Sequence, residues 1–178
     1  MSQYEQLREL FWPKGPRPDV WAVLDGARDP KVFSAILGAH NVGACLYAGD
    51  ISDELERCAP HLVQLDYEDS RLTKRLLESV WEQSWGIFLR CDTSVDRLRR
   101  HLRRFLMVQD HSSRRLVFRY YDPRVLRVYL PTCFPEELDQ IYGPIDRFWT
   151  AGEEHGQVLT FFRKNRAIAV EQLELPKS

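Results

Sequence analysis

The sequence has almost no net charge, because 25 lysine and arginine residues are balanced by 26 aspartate and glutamate residues. It therefore lacks a global electrostatic field that would favour nucleic acid or an acidic membrane surface, and any such preference must be local. No hydrophobic run approaches the length of a membrane span, and the first residues lack the basic start and long apolar region of a secretory leader. We expect a soluble, cytoplasmic protein with neither a nucleic-acid nor a membrane partner.

Familiar catalytic and cofactor motifs are missing as well. The sequence has no phosphate-binding P-loop, no dinucleotide-binding glycine motif, no G-x-S-x-G elbow and no H-E-x-x-H zinc motif. Its four cysteines form no C-x-x-C pair, and each falls in or beside an apolar run, which favours core thiols over zinc ligands. These cysteines are Cys45, Cys58, Cys91 and Cys133. We expect no cofactor, no metal and no catalytic residue.

Apolar residues, by contrast, are plentiful. They make up 44% of the 178 residues, which is enough to build one domain with a substantial core. Predicted strands and helices alternate through most of the chain and give way to a β-rich tail, so we predict an α/β or α+β single domain, with a mixed central sheet flanked by helices. We divide it into an N-terminal helix and proline-rich arm (1–18), a core (19–145) and a C-terminal β-rich extension packed on the core (146–178).

Several elements can be predicted individually. The unbroken apolar run Val20 to Leu24 indicates a strand buried on both faces. Amphipathic spacing predicts one continuous helix from Ser70 to Trp85 and another from Val95 to Val108. The pattern after Phe148-Trp149 predicts paired strands joined by the turn Gly152 to Gly156, followed by an edge strand.

Residues Leu116 to Leu130, LVFRYYDPRVLRVYL, combine a predicted strand, a sharp turn and a short helix. Leu116 to Tyr121 shows the period-two pattern typical of a strand. Asp122 should then cap a helix that begins at Pro123, because the carboxylate accepts from free backbone amides and proline needs no donor there. Asp29-Pro30 repeats the same pattern earlier in the chain.

Three charged residues, Arg119, Asp122 and Arg124, lie at the Asp122-Pro123 turn. A carboxylate between two guanidinium groups can form a bidentate pair that fixes the turn. We favour such a structural latch, because no nucleophile or general base accompanies these residues. The alternative is an enzyme or ligand-binding protein that uses this cluster to bind a phosphate or carboxylate substrate.

The helix predicted from Val95 to Val108 carries the one conspicuous charge cluster of the sequence. Five arginines and His101 lie on the side opposite its apolar residues. A solvated face that pairs with nearby carboxylates is the simplest interpretation. A surface for an acidic protein is the first alternative, and a nucleic-acid surface is less favoured because the aromatic residues point inward. The candidate partner surface consists of Arg97, Arg100, Arg103 and Arg104.

Several motifs together resemble a known bacterial family. VWAVLDGARDP at Val20 to Pro30, CAPHLVQL at Cys58 to Leu65, the basic helix, FRYYDPRVL at Phe118 to Leu126, and the turn Gly143-Pro144 follow one another in the family's order. The family is catalogued as domain of unknown function 4123. The resemblance covers roughly residues 20 to 150, and the run from Phe118 is its most specific part.

The resemblance implies an adaptor, or effector chaperone, of the type VI secretion system. Such a protein is cytoplasmic and non-catalytic, needs no cofactor, binds a toxic effector and helps to load it onto the VgrG spike, often through the effector's N-terminal region or a PAAR-type tip. The family's marked residues are Asp25, Arg28, Asp29, Pro30, Pro60, Arg119, Tyr121, Asp122, Pro123 and Arg124. From the caps and the latch, we interpret them as residues that hold the fold.

Overall fold

The computed structural model of the chain describes residues 1–39, 43–68 and 71–176. Its helices are α1 (Gln3–Phe11), α2 (Pro30–Leu37), α3 (Asp53–Cys58), α4 (Arg71–Glu78), α5 (Val95–Arg103), α6 (Pro123–Tyr129) and α7 (Pro135–Tyr142). Its strands are β1 (Val20–Asp25), β2 (Gly43–Cys45), β3 (Pro60–Gln64), β4 (Gly86–Arg90), β5 (Met107–Gln109), β6 (Arg115–Val117), β7 (Arg147–Ala151), β8 (Gln157–Lys164) and β9 (Ala167–Glu174).

Seven of these strands form one sheet, in the order β2-β3-β1-β4-β7-β8-β9, while β5 and β6 form a separate two-stranded hairpin. The predicted combination of helices with a central sheet is confirmed. The finer expectation of a mixed sheet is wrong, because every strand pair in the described residues is antiparallel. An unbroken apolar run indicates burial on both faces but carries no information about strand direction.

Strand β1 lies in the interior of the sheet and is buried along its whole length, as the sequence predicts. Successive side chains of a strand point to opposite faces. Val20, Ala22 and Leu24 therefore join one hydrophobic core, and Trp21 and Val23 join the other. The sheet thus separates two cores and places a layer of helices on each face.

The helices divide between these two layers. Leu7 and Phe11 of α1 pack with the apolar side of α4 in the first core, and both are fully buried. Helices α5, α6 and α7 supply the second core, where Tyr142 is also fully buried. The short helix predicted before Trp12 is therefore confirmed as α1. No helix in the described part of the chain is both long enough and apolar enough to cross a membrane.

Two predicted helices are shorter than expected. Helix α4 ends at Glu78, a 3-10 turn follows at Trp81–Gln83, and Ser84 adopts a left-handed φ of 53°. The predicted start at Ser70 lies outside the described residues. The amphipathic spacing continues beyond the helix because Trp81 in the 3-10 turn and Trp85 after it are both buried. Helix α5 likewise ends at Arg103, where the chain turns into β5.

The strand predicted over Leu116 to Tyr121 is also shorter, since β6 ends at Val117. Tyr120 and Tyr121 are buried by the packing of the following turn rather than by strand pairing. The C-terminal prediction is confirmed: β7 pairs with β8, and β8 with the edge strand β9. Among the cysteines, Cys91 is buried, but Cys58 is exposed at the end of α3, which contradicts its assignment to the core.

Candidate functional site

Both Asp-Pro turns begin a helix as predicted. Asp29 Oδ1 accepts a hydrogen bond of 2.8 Å from the backbone N–H of Lys31, at the start of α2. Asp122 Oδ1 accepts one of 2.9 Å from the backbone N–H of Arg124, at the start of α6. Each carboxylate satisfies an amide that the helix itself leaves without an acceptor.

Asp122 also forms a bidentate ion pair with Arg124. The guanidinium donates from Nε to Oδ1 over 3.0 Å and from Nη2 to Oδ2 over 2.5 Å. Burial alone would raise the pKa of Asp122, but the side-chain and backbone hydrogen bonds from Arg124, with its charge and that of Arg119, outweigh burial and lower that pKa. Asp122 is thus held ionised as a cap and ion-pair partner.

The sequence predicts a latch in which the Asp122 carboxylate lies between the guanidinium groups of Arg119 and Arg124. This prediction is correct for Arg124 and wrong for Arg119. Arg119 donates from Nη2 to Asp25 Oδ2 and makes no ion pair with Asp122. Asp25 lies at the end of β1, is only 1% exposed, and also accepts a 3.1 Å bond from the backbone N–H of Ala27. The hydrogen bond that Arg119 donates to Asp25 raises the pKa of Arg119. This ion pair joins segments 94 positions apart in the sequence.

The other family-motif residues lie around this ion pair. Pro60 is the neighbour of Asp25 across the β1–β3 pairing. Arg28 Nε donates to the carbonyl of Gln83 over 3.3 Å. Tyr121 is buried, and burial raises the pKa of its phenol. We call this group of residues the motif cluster, with the ten members Asp25, Arg28, Asp29, Pro30, Pro60, Arg119, Tyr121, Asp122, Pro123 and Arg124.

Gly26 also shapes the turn after β1, although it is not one of the ten residues of the motif cluster. A Cβ atom at this position would lie 2.3 Å from the carbonyl oxygen of Arg57 and 2.8 Å from that of Ala59, so only glycine fits without moving the backbone. Its own N–H donates to the Ala59 carbonyl over 3.1 Å. In the sequence, the Asp25-Gly26 pair after a buried strand indicates a tight turn. The carbonyl oxygens that make glycine necessary come from a distant segment, so the sequence alone does not reveal this requirement.

The chemistry of the motif cluster is that of caps and ion pairs. The carboxylates of Asp25, Asp29 and Asp122 each already accept from a backbone amide, and two of them also hold a guanidinium. Within the described residues, no three histidine, cysteine, aspartate or glutamate side chains converge as a metal site. The arrangement is therefore suited to holding together the end of β1, the start of β3 and the start of α6.

The arginines of α5 separate into two groups. Arg99 Nε donates to the carbonyl of Cys45 over 2.9 Å. Arg103 Nε donates to the carbonyl of Leu46 over 2.8 Å, and its Nη2 donates to that of Tyr47. Both side chains therefore fix the end of β2 onto the helix. Arg103 was included in the candidate partner surface, but the structure gives it this internal role.

Arg97, Arg100 and Arg104 form the second group, which we call the arginine stripe. All three are exposed, and no carboxylate in the described part of the chain lies within ion-pair distance of them. They line an open depression of about 470 Å³ together with His101, Gly143 and Pro144. The simplest interpretation of this face, pairing with nearby carboxylates, is therefore wrong for these three residues.

His101 does not share the solvent-facing side predicted for it. It is buried, and its Nε2 lies 2.7 Å from the carbonyl oxygen of Ile141 in α7. Gly143, with a φ of +46°, packs against the ring so closely that a Cβ there would lie 2.3 Å from Cε1. His101 thus forms the floor of the depression and joins α5 to the turn after α7.

Two buried histidines predict acid sensitivity. Burial lowers the pKa of both His61 and His101, so at acidic pH the unfolded chain binds more protons than the folded one. The stabilisation from their neutral forms is complete above the unfolded pKa of about 6.5 and is lost as the pH falls through their lower folded pKa values. We expect the free energy of unfolding, measured by urea denaturation, to decrease as the pH falls below about 6.5.

The His101→Gln variant should show a weaker pH dependence over this range than the unaltered protein. Its matched control is His155→Gln, because His155 is exposed in the turn between β7 and β8. An unchanged slope in the His101→Gln variant, measured alongside that control, would contradict the assignment.

A family model described as "Domain of unknown function (DUF4123)" matches residues 20–140. This range contains every residue of the motif cluster and the whole arginine stripe. No curated protein and no solved structure matches the chain.

Proposed function

The chain belongs to the family described as Domain of unknown function (DUF4123), and from this premise we propose that it is a type VI secretion adaptor. In this proposal it works in the bacterial cytoplasm, binds a cognate toxic effector and promotes the loading of that effector onto the VgrG spike. The work is non-catalytic and needs no cofactor. The observation that carries the proposal is the arginine stripe, a charged surface without an ion pair to any carboxylate of the described residues.

The state of the motif cluster supports a non-catalytic role. Asp25 is satisfied by Arg119 and Ala27, and Asp122 by Arg124. A general base needs a free lone pair directed at a substrate proton, and these carboxylates direct theirs at internal donors. The family's marked residues thus serve architecture in this proposal, which leaves binding to the surface.

The arginine stripe favours an acidic protein segment. Guanidinium groups bind carboxylates in a bidentate geometry, and three of them at one side of a helix can align with several acidic residues. Positions 97, 100 and 104 recur at three- and four-residue steps, which places them along one side of α5. In this proposal the partner is an acidic part of the effector, and the open depression gives that part access to the arginine stripe.

The effector's N-terminal region, alone or with a PAAR-type or VgrG component, is the proposed occupant of this surface. One exposed ion pair contributes less than about 1 kcal/mol, so the three arginines must act together and with apolar contacts nearby. Charge of this kind also accelerates association and makes affinity depend on salt. A salt-sensitive complex is therefore the expected signature.

The proposal predicts that the protein co-purifies with the effector encoded beside it and raises the solubility of that effector. Replacing Arg97, Arg100 and Arg104 together with glutamate should weaken the complex at least about tenfold, because three attractive contacts become repulsive. Isothermal titration at low and high salt measures the change, and the salt dependence should largely disappear in the variant.

The matched control reverses charge elsewhere. Arg71→Glu with Lys74→Glu changes two exposed cations on α4, in the helix layer on the other face of the sheet. This control should bind like the unaltered protein. Failure to form a complex with any locally encoded effector or spike component would overturn the function, while equal weakening by both variants would show that only overall charge matters.

A further inference from the structure

The hairpin formed by β5 and β6 lies apart from the seven-stranded sheet. Its three cross-strand pairs are Met107 with Val117, Val108 with Leu116, and Gln109 with Arg115. The loop at its tip is fixed by Asp110, whose carboxylate accepts from the backbone amides of Ser112 and Arg114 and from Nε of Arg114. A short ribbon of this kind is therefore held in shape without a third strand.

Both outer edges of the hairpin present free backbone groups. The bonds from Phe118 N to Leu106 O and from Asp110 N to Arg114 O mark the positions that pair inside the hairpin. Because inward and outward positions alternate in an antiparallel pair, the N–H and C=O groups of Met107 and Gln109 point away on one side. Those of Arg115 and Val117 point away on the other, and no further strand of the described chain pairs there.

The hairpin also exposes apolar side chains that a folded domain ordinarily covers. Leu116 is 46% exposed and Val117 is 55% exposed, compared with 42% for Met107 and 39% for Val108. Directly paired residues share a face, so Val117 lies on the face of Met107, while Leu116 lies on the face that continues to buried Leu106. Strand β6 thus offers apolar contacts on both faces beside its open edge.

Exposed edges are usually protected by short strand length, by charged side chains, by proline or by a covering element. Strand β6 is only three residues long and carries the charged Arg115, but neither β5 nor β6 contains proline, and no element of the described chain covers their outer edges. An open edge with apolar residues on both faces is the arrangement used to capture an extended peptide by strand addition.

The charge at the β6 edge selects the kind of peptide. Asp110 is neutralised by Arg114, whereas Arg115 has no ion-pair partner among the described residues. A strand added antiparallel to β6 would place one residue opposite Arg115 and the two residues before it opposite Leu116 and Val117. An acidic residue suits the first place, and apolar residues suit the other two.

We propose that the outer edge of β6 binds an extended acidic and apolar segment of a partner protein as a third strand of the hairpin. The inference rests on the proposed adaptor function, in which that segment belongs to the effector. A second copy of this chain is a poorer occupant, because pairing two β6 edges would bring two Arg115 guanidinium groups onto one short ribbon.

Two proline variants test the edge. Val117→Pro removes an outward N–H on β6, and Met107→Pro removes the corresponding outward N–H on β5, while neither removes a bond inside the hairpin. Val117→Pro should weaken the effector complex by at least about fivefold, because a backbone hydrogen bond is lost and the added strand is obstructed. Met107→Pro should change the affinity little, and thermal unfolding should show that both variants keep the stability of the unaltered protein.

Amide hydrogen exchange locates the contact independently of any variant. In the complex, exchange should slow at Arg115 and Val117 but not at Met107 and Gln109. A synthetic peptide with two valines followed by glutamate supplies a second probe, and its control carries lysine in place of glutamate. The glutamate peptide should bind more tightly than the lysine peptide, with the same protection pattern.

The outcomes separate this inference from the function. A stable effector complex without protection at β6, or with protection at β5, would overturn the strand addition and leave the adaptor function standing. Peptide binding at β6 without any effector complex would support the edge and overturn the function. Concentration-dependent dimers that Val117→Pro abolishes would show that the edge serves a second copy, which also overturns the proposal.

Discussion

Replacing Arg119 with alanine should lower the free energy of unfolding by about 3 kcal/mol. The variant leaves the Asp25 carboxylate, only 1% exposed, without its counter-ion and with a single hydrogen bond, from Ala27. A buried charge that loses its partner costs far more than the pair itself contributes. Urea denaturation with a constant m-value measures the loss.

Replacing the other partner, Asp25, should lower the free energy of unfolding by less, although it breaks the same ion pair. Asp25→Asn leaves the guanidinium of Arg119 without a partner, but that side chain is 43% exposed and can be solvated. We expect a loss of about 1 kcal/mol, from one weakened hydrogen bond. The double variant should lose less than the sum of the two single variants, because the two side chains contact each other.

Arg97→Ala is the matched control, since it removes an exposed arginine that has no partner in the described chain. Its stability should stay within about 0.5 kcal/mol of the unaltered protein. If Arg119→Ala cost no more than this control and yet abolished effector binding, the motif cluster would be an interface and not a structural latch.

Local chemistry explains why parts of the site could be predicted from the sequence. An Asp-Pro pair begins a helix through contacts within a few residues, so the caps at Asp29 and Asp122 follow directly from their neighbours. The two-sided burial of Val20 to Leu24 is equally visible, because five adjacent apolar residues cannot all face one side of a strand.

The partner of Arg119 could not be predicted in the same way. Asp122 is three residues away and Asp25 is 94 positions away, so spacing favoured the wrong carboxylate. The sheet decides the matter, since it brings the end of β1 beside the turn before α6. The same limit applies to α5: helical periodicity places all its arginines on polar sides, but only the position of β2 separates Arg99 and Arg103 from the arginine stripe.

The family match and the fold also differ in extent. Residues 20–140 omit α1 and the three strands β7, β8 and β9. Yet β7 pairs directly with β4, and Trp149 of β7 lies in the same core as Leu7 and Phe11 of α1. The matched residues alone would therefore leave β4 without its paired strand β7 and Phe88 without the ring of Phe11, which makes the segments on either side part of one folding unit.

Phe11 provides the strongest test of that conclusion. Its ring lies 4.5 Å from the ring of Trp149, 5.3 Å from that of Phe88 and 6.1 Å from that of Trp81, measured between centroids. Phe11→Ala should lower the free energy of unfolding by about 4 kcal/mol, because a fully buried aromatic side chain is replaced by a cavity.

The control for Phe11 is Phe134→Ala, because Phe134 is 71% exposed and its loss should change stability by no more than about 0.5 kcal/mol. Chemical denaturation followed by tryptophan fluorescence reports on the same core, since Trp81 and Trp149 both contact Phe11. Equal stability of the two variants would mean that α1 is a dispensable attachment. A large loss in Phe11→Ala alone means that the residues before the matched range hold the sheet on which the motif cluster and the arginine stripe depend.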